Sequence, residues 1–451
     1  MILVLSLFIS FSLSLQIHEY YFMNRIDHFD PSYNNSYPQR VWNCSDYFDT
    51  NNGTLLLYLN GEYVGYFPAE NSFTLTLAKK FKSYIISAEH RYYGKSQPMP
   101  DWSLPNLQYL THDQALADFA MIIASSQKNL SQMYGISTKL KVIVVGGSYP
   151  GALSAWMRLK YPHLVDASLA SSGVINAIED FNMFDGVELI ATQKEGNDCR
   201  DNIRWYLDDA KERFNGNPAD SFNFRMLYNA PYLEWDSYMY YIADIFGESI
   251  QYGYRTLLCQ FLRNESQMNV SPIQKHIDLY NFGMNHRTSP PSYSFHYIRQ
   301  PEIDFKLSTR QWKYQFCTSL AYFNTPFSKN LNLRYSEMNL TYWKNYCFKS
   351  FGTDVYPDTN HTNAIYGDVR IGTSISHIYY TNGLDDPWQG ASITSLSDKL
   401  NNSKATLINC DNCGHCIDLH APSNNDKQIL IDTRNDIIQT LGKWIGLIPN
   451  S

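Results

Sequence analysis

KVIVVGGSYPG, residues 141–151, is the stretch on which the fold turns. Strand-forming residues run straight into two glycines and a serine, and ALSAWMRLKYP at 152–162 continues with helical spacing up to Pro162. Strand, tight turn and helix in that order hold a serine on a sharp bend, where a Cβ on a flanking residue would collide with the adjacent strand or helix. A hydroxyl displayed in this way is a candidate nucleophile, Ser148. Pro150 postpones the second flanking glycine to Gly151. In the first helical turn its missing N–H has no intrahelical partner to lose, and its fixed φ already suits a helix. The competing reading is a glycine-rich strand-to-helix turn whose serine is incidental.

Working outward, TLLLYL (54–59) and YIISA (84–88) are short apolar runs that end in Asn60-Gly61-Glu62 and Glu89-His90-Arg91. Both read as buried strands running into loops. FTLTLAKKF between them suits a short helix, and the segment from Tyr109 carries apolar residues at helical spacing with Thr111 as N-cap. DASLASSGV reads as a further strand. Strands alternating with helices predict a mainly parallel sheet covered on both faces. From about Ile178 to Tyr366 aromatics are dense and strand-like runs few, which predicts a helical insertion. SHIYYTNG (376–383) and ATLINC (405–410) then resume the sheet, and NDIIQTLGKWIGL closes the chain as a helix. The expected organisation is an α/β-hydrolase fold with an inserted helical cap domain. Residues 16–178 and 366–451 form the hydrolase domain, 179–365 the cap, and 1–15 a signal peptide.

A serine hydroxyl needs a base, and the base needs an acid to hold it in one tautomer. On this fold they follow the serine in the order Asp, His. Leu384-Asp385-Asp386-Pro387-Trp388 follows a predicted strand, and Pro387 biases Asp386 towards an extended backbone, favouring it over its competitor Asp385. His415, in CDNCGHCIDL, lies beyond the last predicted strand; His420 and His377 are the remaining candidates. Cys410, Cys413, His415 and Cys416 also resemble a zinc cluster. Structural zinc sites usually combine two separated ligand pairs, so disulfides pinning the histidine loop are the preferred reading, with no metal and no cofactor expected. The backbone N–H of Tyr149 and that of Gly61 are the candidate oxyanion donors. Glu89 and Arg91 are expected to pair and brace their loop.

Lys and Arg number 36 against 43 Asp and Glu, a net charge of −7, which offers no basic face to nucleic acid. The uncharged MILVLSLFISFSLSL at the start reads as a signal peptide, with a signal anchor as the alternative. Nine sequons, at Asn34, Asn43, Asn52, Asn129, Asn264, Asn269, Asn339, Asn360 and Asn401, agree with the secretory route. In that oxidising setting the eight cysteines are expected to favour disulfides.

EHRYYGKSQP, NLQYLTHDQALADFA, GGSYPGALSAWMRLKYPHLVDASLASS, WKYQFCTSLAYFNT, TNGLDDPW and GHCIDL together resemble the family of lysosomal prolyl carboxypeptidase, dipeptidyl peptidase II and thymus-specific serine protease, over about residues 37–420. Tyr-Pro-Gly after the serine and Gly-His-Cys near the end look closest to the thymus-specific branch. The resemblance implies a hydrolase domain interrupted by a helical cap, with Ser148, Asp386 and His415 as triad. It implies an exopeptidase cleaving short peptides after proline, outside the cell or in lysosome-like acidic vesicles. Trp312, Tyr314 and Trp388 are candidates for a proline pocket. The family commonly has Cys-Thr-Glu where this chain has Cys317-Thr318-Ser319, which removes an acidic side chain that could meet a substrate amine. The expected partners are peptide substrates, with a homodimer left open and neither nucleic acid nor stable membrane insertion. The rival functions are a serine esterase or lipase on the same fold and a non-catalytic binding protein.

Overall fold

The computed structural model describes residues 14–285, 290–396 and 402–449. Most of the predicted signal peptide and the sequon at Asn401 lie outside the described residues. The strands are β1 (His18–Arg25), β2 (Ser36–Cys44), β3 (Thr54–Leu59), β4 (Tyr84–Ala88), β5 (Lys141–Gly147), β6 (Ala167–Ser171), β7 (Ile178–Asp180), β8 (Ala321–Phe323), β9 (Ile378–Gly383) and β10 (Lys404–Ile408). One sheet runs in the order β1-β2-β4-β3-β5-β6-β9-β10. β2 is antiparallel to both its neighbours, and from β4 to β10 every pairing is parallel. This is the α/β-hydrolase fold.

β5 shows why its sequence is so uniformly apolar. Alternate residues of a strand face opposite sides. Val142 and Val144 join the core under the helices His112–Tyr134 and Tyr149–Lys160, while Ile143 and Val145 join the core under Phe73–Lys80 and Gln428–Trp444. A strand covered on both faces has no polar side to show. Thr111 caps its helix as expected, its side chain accepting the Gln114 N–H, and Gly135 closes the helix at a φ of 66°.

Between β7 and β9 the chain is mainly helical, and Cys199–Cys259 and Cys317–Cys347 staple this stretch, while Cys410–Cys413 closes a turn after β10. Cys44 and Cys416 are free thiols, so the disulfide expectation holds for six of the eight cysteines. Three elements differ from the sequence reading. The β1–β2 hairpin was not anticipated, and neither was the short β7–β8 pair inside the helical stretch. The last helix starts at Gln428, seven residues before Asn435. Among the described residues no helix is long and apolar enough to cross a membrane. Asn34, Asn52, Asn129, Asn264, Asn269, Asn339 and Asn360 are exposed, whereas Asn43 is half-covered within β2.

Candidate active site

At the end of β5 the chain turns so sharply that Ser148 adopts φ 66° and ψ −130°, a conformation that costs a side-chain-bearing residue on the order of 1–3 kcal/mol. The flanking glycines make the turn feasible. A Cβ on Gly146 would lie 2.0 Å from the Pro150 carbonyl oxygen, and one on Gly151 2.6 Å from that of Ser171. The Ser148 N–H is bonded to the Ser171 carbonyl at 2.9 Å, which ties the turn to β6. Tyr149 opens the following helix, so its N–H has no carbonyl within the helix to meet and stays available to a ligand.

The second expected donor, Gly61, is packed against this turn: a Cβ there would meet the Pro150 ring at 2.4 Å. Its loop is held by the buried Asn60, whose amide donates to Ser87 Oγ and the Ala88 carbonyl and accepts the Tyr66 N–H.

Asp386 and His415 meet. Nδ1 of His415 lies 2.8 Å from Oδ2 of Asp386, with both residues buried. Asp386 has the extended backbone expected before Pro387 (φ −77°, ψ 111°), and its other oxygen accepts the Trp388 N–H at 3.0 Å. Burial opposes a charged imidazolium, but the Asp386 carboxylate outweighs it and holds His415 well above the ordinary histidine pKa. Asp385 is committed elsewhere: Lys194 and Arg255 each donate to it at 2.7 Å and the Asn412 N–H at 2.9 Å. The adjacent carboxylates therefore divide the work, one turned to the imidazole and the other bridging the helical stretch to the histidine loop.

That loop is fixed from three sides. The His415 N–H donates to the Gln251 carbonyl at 2.7 Å, and the Cys416 N–H to Ser172 Oγ at 2.9 Å. Arg434 in the last helix donates to the carbonyls of Ile417, Asp418 and His420. Gly414 is required here, since a Cβ would lie 2.2 Å from the Gln251 carbonyl oxygen. The histidine loop also touches the serine turn, for a Cβ on Gly147 would meet Cys416 Sγ at 2.8 Å. Of the cysteines in the zinc-like cluster, Cys410 and Cys413 are bonded to each other.

Ser148 opens into a cleft of about 280 Å³, walled by Val174, Phe184, Tyr322, Trp312 and Trp388 and carrying Glu62, Asp244, Glu248 and Lys313. Two of the three aromatic candidates are thus in the wall. Tyr314 is not; it packs edge-on against Phe351 and beside the Tyr92, Tyr93 and Trp102 cluster. Ser319 does not line the cleft either. It sits behind Tyr149, 3.0 Å from His112 Nε2. The Glu89–Arg91 pair does not form. Glu89 instead accepts from Gly65 N–H, Lys95 N–H and Ser96 Oγ, while Arg91 makes a two-pronged bond to the buried Asp118 at 2.7 and 2.8 Å.

The sequence reading passed over Glu62, although it directly follows Gly61. Glu62 is only partly covered as a residue, yet its carboxyl is enclosed by the cleft, and that desolvation pushes its pKa up to about 7. A buried pocket among aromatic rings likewise lowers Lys313 to about 8. An acidic residue immediately after a loop glycine at a strand end was the available signal.

Comparison with known proteins identifies the family. The family model described as Serine carboxypeptidase S28 matches residues 24–437. The Arabidopsis thaliana protein named "Probable serine protease EDA2" is 33% identical over 416 residues, covering 89% of this chain and 81% of that one. Human "Lysosomal Pro-X carboxypeptidase" is 27% identical over 455 residues, covering 94% and 88%. Human "Thymus-specific serine protease" is 28% identical over 460 residues, covering 94% and 86%, so the two human relatives do not separate the branches. Among solved structures, the Mycobacterium smegmatis proline iminopeptidase covers 94% of this chain and 98% of its own at 10% identity and a TM-score of 0.38. The chain belongs to the serine carboxypeptidase S28 family.

Proposed function

We propose that the chain is a serine exopeptidase that cleaves short peptides after proline, with Ser148 as nucleophile, His415 as base and Asp386 as orienting acid. The observation that carries this reading is the buried 2.8 Å contact between His415 and Asp386, on a loop packed against the turn that presents Ser148. With Nδ1 bound to Asp386, Nε2 is the nitrogen left to take the Ser148 proton as Oγ attacks the scissile carbonyl. The N–H groups of Tyr149 and Gly61 receive the charge that develops on the carbonyl oxygen. The imidazolium then protonates the leaving amine, and water, activated by the same histidine, releases the acyl group from Ser148.

In this reading residues 179–365 cap a hydrolase domain made of 16–178 and 366–451. The prolyl ring of the substrate rests on the apolar wall of Val174, Phe184, Tyr322 and Trp388. Asp244, Glu248 and Lys313 supply charge for a peptide terminus, a role the departure at Ser319 leaves untouched because that side chain does not reach the cleft. Three disulfides suit an oxidising compartment, and secretion or an acidic vesicle is the proposed location.

Matched peptides with proline or alanine before the scissile bond test the specificity. Proline is expected to be preferred by about 10- to 200-fold in kcat/KM, the worth of a few methylenes in an apolar pocket. A ratio near one together with fast cleavage of aryl esters moves the assignment to an esterase. Blocking one end of the peptide at a time then tells a dipeptidyl peptidase, sensitive to the amino end, from a carboxypeptidase, sensitive to the other.

Glu62 gives a pH prediction. Its pKa is raised, so the carboxyl is neutral below about 7 and becomes an anion above it, in the cleft where the oxyanion forms. A positive charge on His415 opposes this upward shift without cancelling it. His415, held above the ordinary histidine pKa, must lose its proton to act as base, so wild-type kcat/KM is expected to rise with pH; the Glu62 anion formed above about 7 should blunt that rise, and Glu62→Gln should remove the blunting. Stability follows the same sign: Glu62 favours the folded state below its unfolded pKa, and this contribution is lost as pH rises through about 7. Identical alkaline limbs in wild type and variant would remove Glu62 from the account.

A further inference from the structure

Tyr149 is fully buried, and its hydroxyl is the meeting point of three side chains: His90 Nε2 at 3.1 Å, His112 Nδ1 at 3.0 Å and Gln315 Nε2 at 2.8 Å. The three come from the end of β4, the start of the helix His112–Tyr134 and the end of the helix Thr309–Gln315. A phenol oxygen donates once and accepts twice, so three partners saturate it.

The outer contacts decide which way each bond runs. His90 Nδ1 donates to the Arg91 carbonyl at 2.8 Å, so its Nε2 accepts, and the Tyr149 proton goes there. Tyr93 donates to Gln315 Oε1 at 2.6 Å, so the Gln315 amide nitrogen faces Tyr149 and donates. His112 must then donate through Nδ1, and its Nε2 faces Ser319 Oγ at 3.0 Å, a hydroxyl that also reaches the Gln315 carbonyl at 2.9 Å. The Tyr149 hydroxyl is satisfied with both imidazoles neutral. Burial keeps them so, lowering His90 to about 4 and His112 to about 3.

We propose that His90, His112 and Gln315 are positioning residues that lock the Tyr149 ring and thereby aim the Tyr149 main-chain N–H at the developing oxyanion. The proposal rests on the serine-peptidase reading above. None of the three lines the cleft, so they act through Tyr149 and not on substrate. Gln315 belongs to the same helix as Trp312, which lines the cleft and lies 5.6 Å from the Tyr149 ring, so the wall that receives substrate and the residue that stabilises charge are one connected unit.

Gln315→Ala and Gln315→Glu test it. Without the amide donor the ring can shift, and a displacement near 1 Å at a catalytic group costs on the order of 10²-fold. Gln315→Ala is expected to lower kcat by about ten- to a hundredfold with KM within about threefold, and to slow fluorophosphonate labelling of Ser148 in parallel. In Gln315→Glu, only the protonated carboxyl can donate to Tyr149; of the titratable groups around it, Tyr93, Tyr149, His90 and His112 are neutral, and Glu62 becomes an anion only above about 7. Its kcat should therefore recover towards wild type as pH is lowered, which a merely structural role would not produce. Unchanged kcat and labelling in folded Gln315→Ala, a rise in KM alone, or a Gln315→Glu profile parallel to wild type each overturn the proposal. Should Gln315→Ala fail to fold, the Gln315→Glu profile decides. Wild-type protein that does not label at Ser148 overturns the nucleophile itself. A labelled wild type with an unchanged variant overturns only the positioning set.

Discussion

Ser148→Ala is expected to abolish hydrolysis while the protein stays folded, with a loss on the order of 10⁴-fold or more, because only oxyanion stabilisation and binding remain once the nucleophile is gone. The fold should not notice. The substitution keeps the Cβ, and the Ser148 hydroxyl is absent from the bonds that hold the turn, which run through its N–H and carbonyl. Ser148→Gly makes the complementary test. With no Cβ at φ 66° the strain disappears, so this variant should be equally inactive yet melt at a higher temperature. Turnover retained by a properly folded Ser148→Ala would sink the assignment of the nucleophile.

The two neighbouring carboxylates should fail in different ways. Asp386→Asn places an amide against His415 Nδ1 and favours the wrong tautomer, which is expected to cost on the order of 10⁴ in kcat at temperatures where the variant is folded. Asp385→Asn removes the charge between Arg255 and Lys194, of which Asp385 and Arg255 are buried. Breaking such a pair costs about 3 kcal/mol or more, although Arg255 keeps Asp411 and Glu195. Asp385→Asn should therefore melt early and retain most of its kcat at temperatures where it is folded. Steady-state kinetics alongside calorimetry on both variants checks the contrast. The reverse pattern would assign the orienting role to the wrong residue.

Parallel, doubly covered strands were legible because such strands are apolar on both faces, and β3, β4, β5, β6 and β9 stand out as runs of that kind. β1 was not. HEYYFMNR at the sheet edge is mostly exposed or half-covered, and its place comes from backbone pairing with β2 that leaves little trace in composition. The three-residue β7 and β8 are shorter than any periodic signal. Triad order and turn chemistry singled out Ser148, Asp386 and His415, of which the structure brings Asp386 and His415 into contact. Tyr314 was misjudged for a geometric reason. It is two residues from Trp312, and on a helix two steps of about 100° turn the side chain to the opposite face. Lys313 reaches the cleft instead. Arg91 finds Asp118, 27 residues along the chain, a choice that only the packed helix can make. The Tyr149 network draws on four separate segments, and no local pattern announces it.

Bonds from Arg434 to three carbonyls of the histidine loop have a bearing on how the chain is made. During synthesis the serine turn emerges well before the loop carrying His415 and the helix that clasps it. On the proposed triad, a partial chain thus exposes a hydroxyl with no base to activate it. On that reading, activity waits for the helix Gln428–Trp444 to dock.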